Sequence, residues 1–202
     1  MVNRTIEYRN IIMRCDTINK SAYVDLHKNY CMESYKNGME TVWVDIQKAA
    51  GEFVHETDEE VRSYFLNRFD RVALYDRCIF LKEMDTGKHI GTCIAWEEEW
   101  ENSIIPVLHW LAVSDEYAGK GIARMIITQV MERFEAKEKY PIYLHTQPWS
   151  YKAIKLYNDF GFNICKKDIF CDAENEYNLA MSVLKRIMNK EAYIRLLNSE
   201  VE

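Results

Sequence analysis

Between Val113 and Arg124 a β-favouring run stops, two close glycines follow at Gly119 and Gly121, and a helical pattern begins. Such a helix start presents free N–H groups and the positive end of the helix dipole, and glycines let a ligand approach the backbone with no Cβ in the way. The chemistry that suits it is the binding of a pyrophosphate. Walker A is excluded because Lys120-Gly121 is followed by Ile122, not by Ser or Thr, and the G-x-G-x-x-G fingerprint also fails. A strand-to-helix turn with no ligand has the same local pattern, so the turn alone does not decide. Glu97, Glu98, Glu99 and Glu101 form an acidic stretch suited either to attracting a protonated amine or to a solvated hairpin loop. The six cysteines never form C-x-x-C and the five histidines show no ligand spacing, so neither a metal site nor a disulfide framework is indicated.

The elements that must hold these residues follow from periodicity. Arg77 to Met84 and His89 to Trp96 read as a hairpin about Asp85-Thr86-Gly87-Lys88. Ile104 to Val113 is a further strand, on which His109, Leu111 and Val113 share a face. After the glycines, Ile122, Met125, Ile126, Val130, Met131 and Phe134 line one side of a helix. Ile142 to Thr146 is a short strand, and Ala153, Leu156, Tyr157 and Phe160 share a helical face that ends at Gly161-Phe162. In isolation, such an apolar face reads Tyr157 as a core residue. Towards the N-terminus the pattern predicts a strand at Ile6 to Arg14, then helices around Tyr23 to Tyr35, Val42 to Ala49 and Thr57 to Phe69. Towards the C-terminus it predicts strands at Asn163 to Phe170 and Tyr177 to Leu184 and a helix at Glu191 to Leu197. The expected class is α/β (α+β): a mixed, largely antiparallel sheet with helices on both faces.

With 48% hydrophobic residues, 3 prolines and 7 glycines in 202 residues, the chain has the composition of one globular domain, and disordered or collagen-like readings fail. A formal net charge of -6 gives no basic footprint for nucleic acid or an anionic membrane. Arg4, Glu7, Arg9 and Arg14 interrupt any apolar leader, so the thiols are read as reduced and the location as cytoplasmic.

Leu111-Ala112-Val113 with Tyr117-Ala118-Gly119-Lys120-Gly121-Ile122-Ala123-Arg124 resembles the acetyl-CoA-binding motif of the GCN5-related N-acetyltransferase (GNAT) superfamily. Ala153-Ile154-Lys155-Leu156-Tyr157-Asn158-Asp159-Phe160-Gly161-Phe162 resembles its second signature, in the family's order. The likeness covers roughly residues 70 to 184 and implies a single domain over 1 to 202, with a splayed central strand pair and a helical extension at 185 to 202. It implies an acetyl-CoA-dependent N-acetyltransferase acting on a primary amine of a small molecule or peptide by direct transfer. A non-catalytic acyl-CoA-binding module of the same fold is the alternative. The family's first motif position falls on Ala118, which leaves the pyrophosphate to main-chain donors, and the position favouring Asn is Ser150, which can still hydrogen-bond or cap the helix ahead of Ala153.

By the same resemblance, the main chain of Leu111 and Val113 would bond the pantetheine arm, and an N–H near Leu111 would face the thioester oxygen. Tyr157 aligns with the tyrosine near the cofactor sulfur, and a phenol of ordinary pKa about 10 can protonate a departing thiolate. His109 is the candidate base, with a core histidine beside Trp110 as the alternative and His145 as a second candidate. The aromatic N-terminal helices would border the acceptor pocket. The acidic balance leads to the expectation of a cationic amine. A homodimer is left open.

Overall fold

In the computed structural model, which describes residues 5–167 and 174–201, the strands are β1 (Ile11–Cys15), β2 (Tyr30–Ser34), β3 (Cys78–Glu83), β4 (His89–Trp100), β5 (Ser103–Val113), β6 (Ile142–Thr146) and β7 (Asn163–Ile164). The α-helices are α1 (Glu40–Ala49), α2 (Asp58–Arg68), α3 (Arg71–Arg77), α4 (Ile122–Ala136), α5 (Tyr151–Asp159), α6 (Tyr177–Ile187) and α7 (Lys190–Asn198). Hydrogen bonding joins the strands in the order β2-β3-β4-β5-β6-β1-β7, a mostly antiparallel seven-stranded sheet flanked by helices, as expected. The exception is the parallel pair β5–β6, whose ladder has a single registered pair, Val107↔Tyr143, as a splayed strand pair leaves.

The chain forms two compact units, and β4 and β5 contribute residues to each. In the first, Val24–Trp96 with Leu108–Arg133, the core gathers around fully buried Trp43, whose ring lies 4.7 Å from that of Phe65. The spacing Trp43, Val44, Ile46, Gln47 turns one stripe of α1 inward. Helix α2 starts where Thr57 and Glu60 close a capping box, worth about 1 kcal/mol, which sets Val61 and Phe65 on the core side. Truncating a buried ring such as Trp43 costs about 3–5 kcal/mol, so this cluster dominates the unit's stability.

In the second unit β1 pairs antiparallel with β6 from Ile11↔Thr146 to Cys15↔Ile142. Ile12, Val107 and Cys165 pack there with Ile105, Tyr143 and Val201. Gly161 ends α5 at φ +101°, where a Cβ would stand 2.5 Å from the Thr17 carbonyl oxygen. Only glycine fits that corner.

Several expectations are corrected. Within the stretch Tyr23 to Tyr35, residues Tyr30–Ser34 form the strand β2, and a 3-10 turn at Lys20–Ala22 precedes the stretch. Pairing with β3 from Tyr30↔Glu83 to Ser34↔Ile79 satisfies its backbone and overrides the apparent helical spacing of its tyrosines. Tyr177 to Leu184 is helix α6, because Ala180, Met181, Val183 and Leu184 are buried at helical spacing. The first strand begins at Ile11, and the strand expected at 163 to 170 ends at Ile164, with 168 to 170 outside the described residues. Glu97, Glu98 and Glu99 are strand residues of β4, and the hairpin turn is Glu101-Asn102, both with φ > 0 as a two-residue turn of the right twist demands.

Candidate functional site

Within the first unit, the Ser114 N–H donates to the Ile90 carbonyl (2.9 Å), ending β5, and the chain makes a 3-10 turn at Asp115–Tyr117. Gly119 and Gly121 then take φ +79° and +78°, and α4 begins. The N–H groups of Ala118 and Lys120 are used, donating to the carbonyls of Asp115 and Tyr117. The first α-helical bond is Met125 N–H to the Gly121 carbonyl (3.2 Å), with Arg124 N–H sharing that oxygen. Among the described residues, the N–H groups of Gly119, Gly121, Ile122 and Ala123 meet no protein acceptor. The first turn of this 15-residue helix carries no acidic residue. A Cβ built on either glycine would find nothing within 4 Å, so open space faces these donors. Free donors, a helix dipole and room beside the backbone fit an anionic diphosphate.

The Lys120 ammonium rests over the Tyr117 ring, 4.6 Å from its centroid. The Tyr117 hydroxyl donates to Glu83 (2.8 Å), and that carboxylate pushes the phenol up to about 12, so it stays protonated. Gly91, not singled out in the sequence, lets the elements close: a Cβ there would lie 2.5 Å from Ile126 Cδ1 and 3.1 Å from the Ala112 carbonyl oxygen. Its signal was a glycine inside an otherwise β-favouring run.

Strand β5 is not regular. Trp110 has φ +51°, so the alternation that would put His109, Leu111 and Val113 on one face is broken at that residue. The His109 ring stacks on Trp110 (5.9 Å, 16°) and meets Phe69 edge-on (5.8 Å). Trp110 stacks on Phe53 (5.2 Å) and packs against Trp43 and Tyr64, both at 5.6 Å. Gln47 Nε2 donates to the Trp110 carbonyl (3.1 Å), fixing the irregular backbone from α1. A bulky residue at positive φ costs about 1–3 kcal/mol, and the aromatic cluster supplies the packing that holds it. Leu111 and Val113 are half-buried and Ala112 is buried.

Within the second unit, Tyr157 is buried on α5 with Ile154, and its ring meets Phe162 edge-on at 6.0 Å. Ile154, fully buried, belongs to the inward face in place of the half-buried Ala153 and Leu156. Ser150 does not cap α5; its Oγ accepts from Gln147 Nε2 (3.1 Å). Glu97 is ion-paired with Lys139. His145 is exposed on β6, with Nε2 2.9 Å from Asn10 Oδ1. The predicted residues thus fall into two groups: His109, Leu111–Val113 and Ala118–Arg124 in the first unit, and Ser150, Ala153 and Tyr157 in the second. No group of metal-ligating side chains occurs among the described residues, and no described helix is long and apolar enough to cross a membrane.

Comparison with solved structures shows likeness to a GCN5-related N-acetyltransferase from Sphaerobacter thermophilus, with TM-score 0.62 and 16% identity over 79% of this chain and 49% of that one. The ribosomal-protein-S18-alanine N-acetyltransferase from Escherichia coli gives 0.53 and 19%, over 66% and 77%. The NatC complex bound to Gag peptide and CoA gives 0.51 and 18%, over 64% and 82%. At these identities the likeness is one of fold, and the chain spans about half the length of the Sphaerobacter protein. No curated protein sequence matches it. The sequence profile of the acetyltransferase (GNAT) family, however, matches residues 39–162, more than half of the chain. That stretch takes in the irregular β5, the glycine turn with its free donors and the Tyr157 helix; the chain belongs to the acetyltransferase (GNAT) family.

Proposed function

We propose that this chain transfers an acetyl group from acetyl-CoA to a primary amine of a small molecule or peptide, directly, in a ternary complex. The observation that carries the reading is the turn at Gly119–Ala123, where four N–H groups without protein acceptors stand at a helix N-terminus beside open space. Family membership supports acetyl transfer, and two of the solved structures with this fold are an N-acetyltransferase of a ribosomal protein and a complex holding a peptide and CoA. Acetyl-CoA, when bound, supplies the activated acetyl thioester.

The protein's own part is binding, orientation and proton movement. Main-chain donors from Gly119 to Ala123 hold the diphosphate, Lys120 and Arg124 add positive charge, and Ala118 contributes no side-chain donor. The irregular backbone at Trp110 leaves Leu111 to Val113 to present N–H and C=O groups along the pantetheine arm, and a fixed N–H donor at Leu111 is worth about 3 kcal/mol where negative charge develops. Tyr157 donates its phenolic proton to the leaving sulfur. The bound geometry supplies much of the remaining acceleration. Calorimetric titration tests the binding half: acetyl-CoA should bind far more tightly than pantetheine, which lacks the diphosphate, and equal affinities would refute the cradle.

A further inference from the structure

Helix α1 ends its buried stripe on a polar residue. Gln47 follows Trp43, Val44 and Ile46 on that stripe and is only 1% exposed. An amide taken from water into a core costs free energy unless it is hydrogen-bonded, so its partner has to account for its place there. That partner is a backbone group of β5: Nε2 donates to the Trp110 carbonyl (3.1 Å).

The peptide held in this way carries two groups. A trans peptide is planar, with its C=O and N–H pointing in opposite directions, so the bond that fixes the Trp110 carbonyl also fixes the Leu111 N–H, aimed away from Gln47. At Trp110, φ +51° departs from the strand conformation, and strand geometry alone does not set the direction of this peptide. The neighbours of Gln47 grip the same residue from other sides. The Gln47 carbonyl accepts the N–H groups of Ala50 (3.2 Å) and Glu52 (3.0 Å), which ties the end of α1 to the loop that carries Phe53. Phe53 stacks on the Trp110 ring, and Trp43, one turn before Gln47, packs edge-on against it. Ring and carbonyl of Trp110 are thus both held from α1 and the loop after it. Gln47, Phe53, Trp110, Leu111 and the Gly119–Ala123 turn all belong to the first unit.

We infer that Gln47 is a positioning residue for acetyl transfer: its amide orients the Trp110–Leu111 peptide so that the Leu111 N–H is aimed for the thioester oxygen, where negative charge develops as the amine adds. The assignment rests on the reading above, in which that N–H is the donor. Gln47 acts through the direction of one peptide dipole and not by contact with the reacting atoms.

Gln47→Met keeps the length of the side chain and removes its N–H. Gln47→Asn keeps the amide but falls one methylene short of the Trp110 carbonyl, so the test does not depend on how methionine packs. Each folded variant should lower kcat about 10- to 100-fold, part of the loss seen when such a donor is removed outright, with acetyl-CoA affinity kept. The spectroscopic signature is the infrared carbonyl stretch of carbonyl-labelled acetyl-CoA bound to the protein. In the wild type a fixed donor pulls it below its frequency in solution, and in both variants it should move back towards that frequency. A packing role alone would change stability and leave the band in place. A band that keeps its wild-type position in a folded variant, or an unchanged kcat, overturns the inference with acetyl transfer intact. A wild-type protein whose bound thioester shows no shift from solution overturns the reading of Leu111 as donor beneath it.

Discussion

Gly121→Val separates binding from folding because the glycine's surroundings are empty. At φ +78° a side chain is strained, but its Cβ would meet nothing within 4 Å, so the cost in the free protein is backbone strain alone. That strain is about 1–3 kcal/mol, which at 2–4 °C per kcal/mol lowers Tm by about 2–12 °C and leaves the fold intact. Where the ligand would lie, the isopropyl group occupies the open space beside the N–H groups of Gly121 and Ile122. Acetyl-CoA at about 100-fold excess over its Kd should stabilise the unsubstituted protein by about 2.7 kcal/mol, a rise of about 5–11 °C. The variant should show no rise under the same conditions. Thermal melts with and without acetyl-CoA, with circular dichroism to confirm the fold, give the comparison. Gly161→Ala is the informative control: its Cβ would press to 2.5 Å from the Thr17 carbonyl oxygen within the second unit, so stability falls with the cradle still open and the ligand-induced rise preserved. A full rise in Gly121→Val would show that the diphosphate binds elsewhere.

Tyr157→Phe keeps the ring against Phe162 and removes only the hydroxyl, so steady-state kinetics should show kcat down about 10- to 1000-fold with acetyl-CoA affinity nearly unchanged, and normal turnover would remove the acid role. Gly161→Ala should cost more than 3 kcal/mol in denaturant unfolding, since the new Cβ meets the Thr17 carbonyl oxygen at 2.5 Å at φ +101°; a loss under 1 kcal/mol would contradict that corner. Burial would raise the Glu40 carboxyl, but hydrogen bonds from its own N–H, the Tyr35 hydroxyl, the Gly38 N–H and Arg62 outweigh it and hold the group below the usual carboxylate range. The unfolded chain therefore binds the proton more tightly. The stability this adds is complete above the unfolded value of about 4.3 and is lost as pH falls through the lower folded value, so Glu40→Gln should flatten Tm against pH in that window.

The parts of the fold that sequence reveals are those where local chemistry has one solution. Thr57 and Glu60 close a capping box, Asp85 to Lys88 turns a hairpin, and the apolar stripe from Ile122 to Phe134 permits only an amphipathic helix. The failures share a cause, which is that distant pairing decided the outcome. Tyr30 to Ser34 is a strand because β3 supplies its hydrogen bonds, and the tyrosine spacing that imitates a helix carries no record of that partner. At the site, Gly119 and Gly121 were legible because φ > 0 demands glycine. Trp110 was not, since nothing local distinguishes a tryptophan at φ +51° from one on a regular strand; Gln47 and the rings of Trp43, Phe53 and Tyr64 hold it there.

The proposed reaction is acetyl transfer to an amine with both substrates bound at once. Initial velocities with isotopically labelled acetyl-CoA and a panel of amines, varied against each other and read by mass spectrometry, test it most directly. Direct transfer gives one labelled amide per CoA released and double-reciprocal lines that intersect. Parallel lines with a labelled acetyl group retained on the protein would contradict direct transfer, and tight CoA binding with no labelled amide from any amine would make the chain an acyl-CoA-binding module.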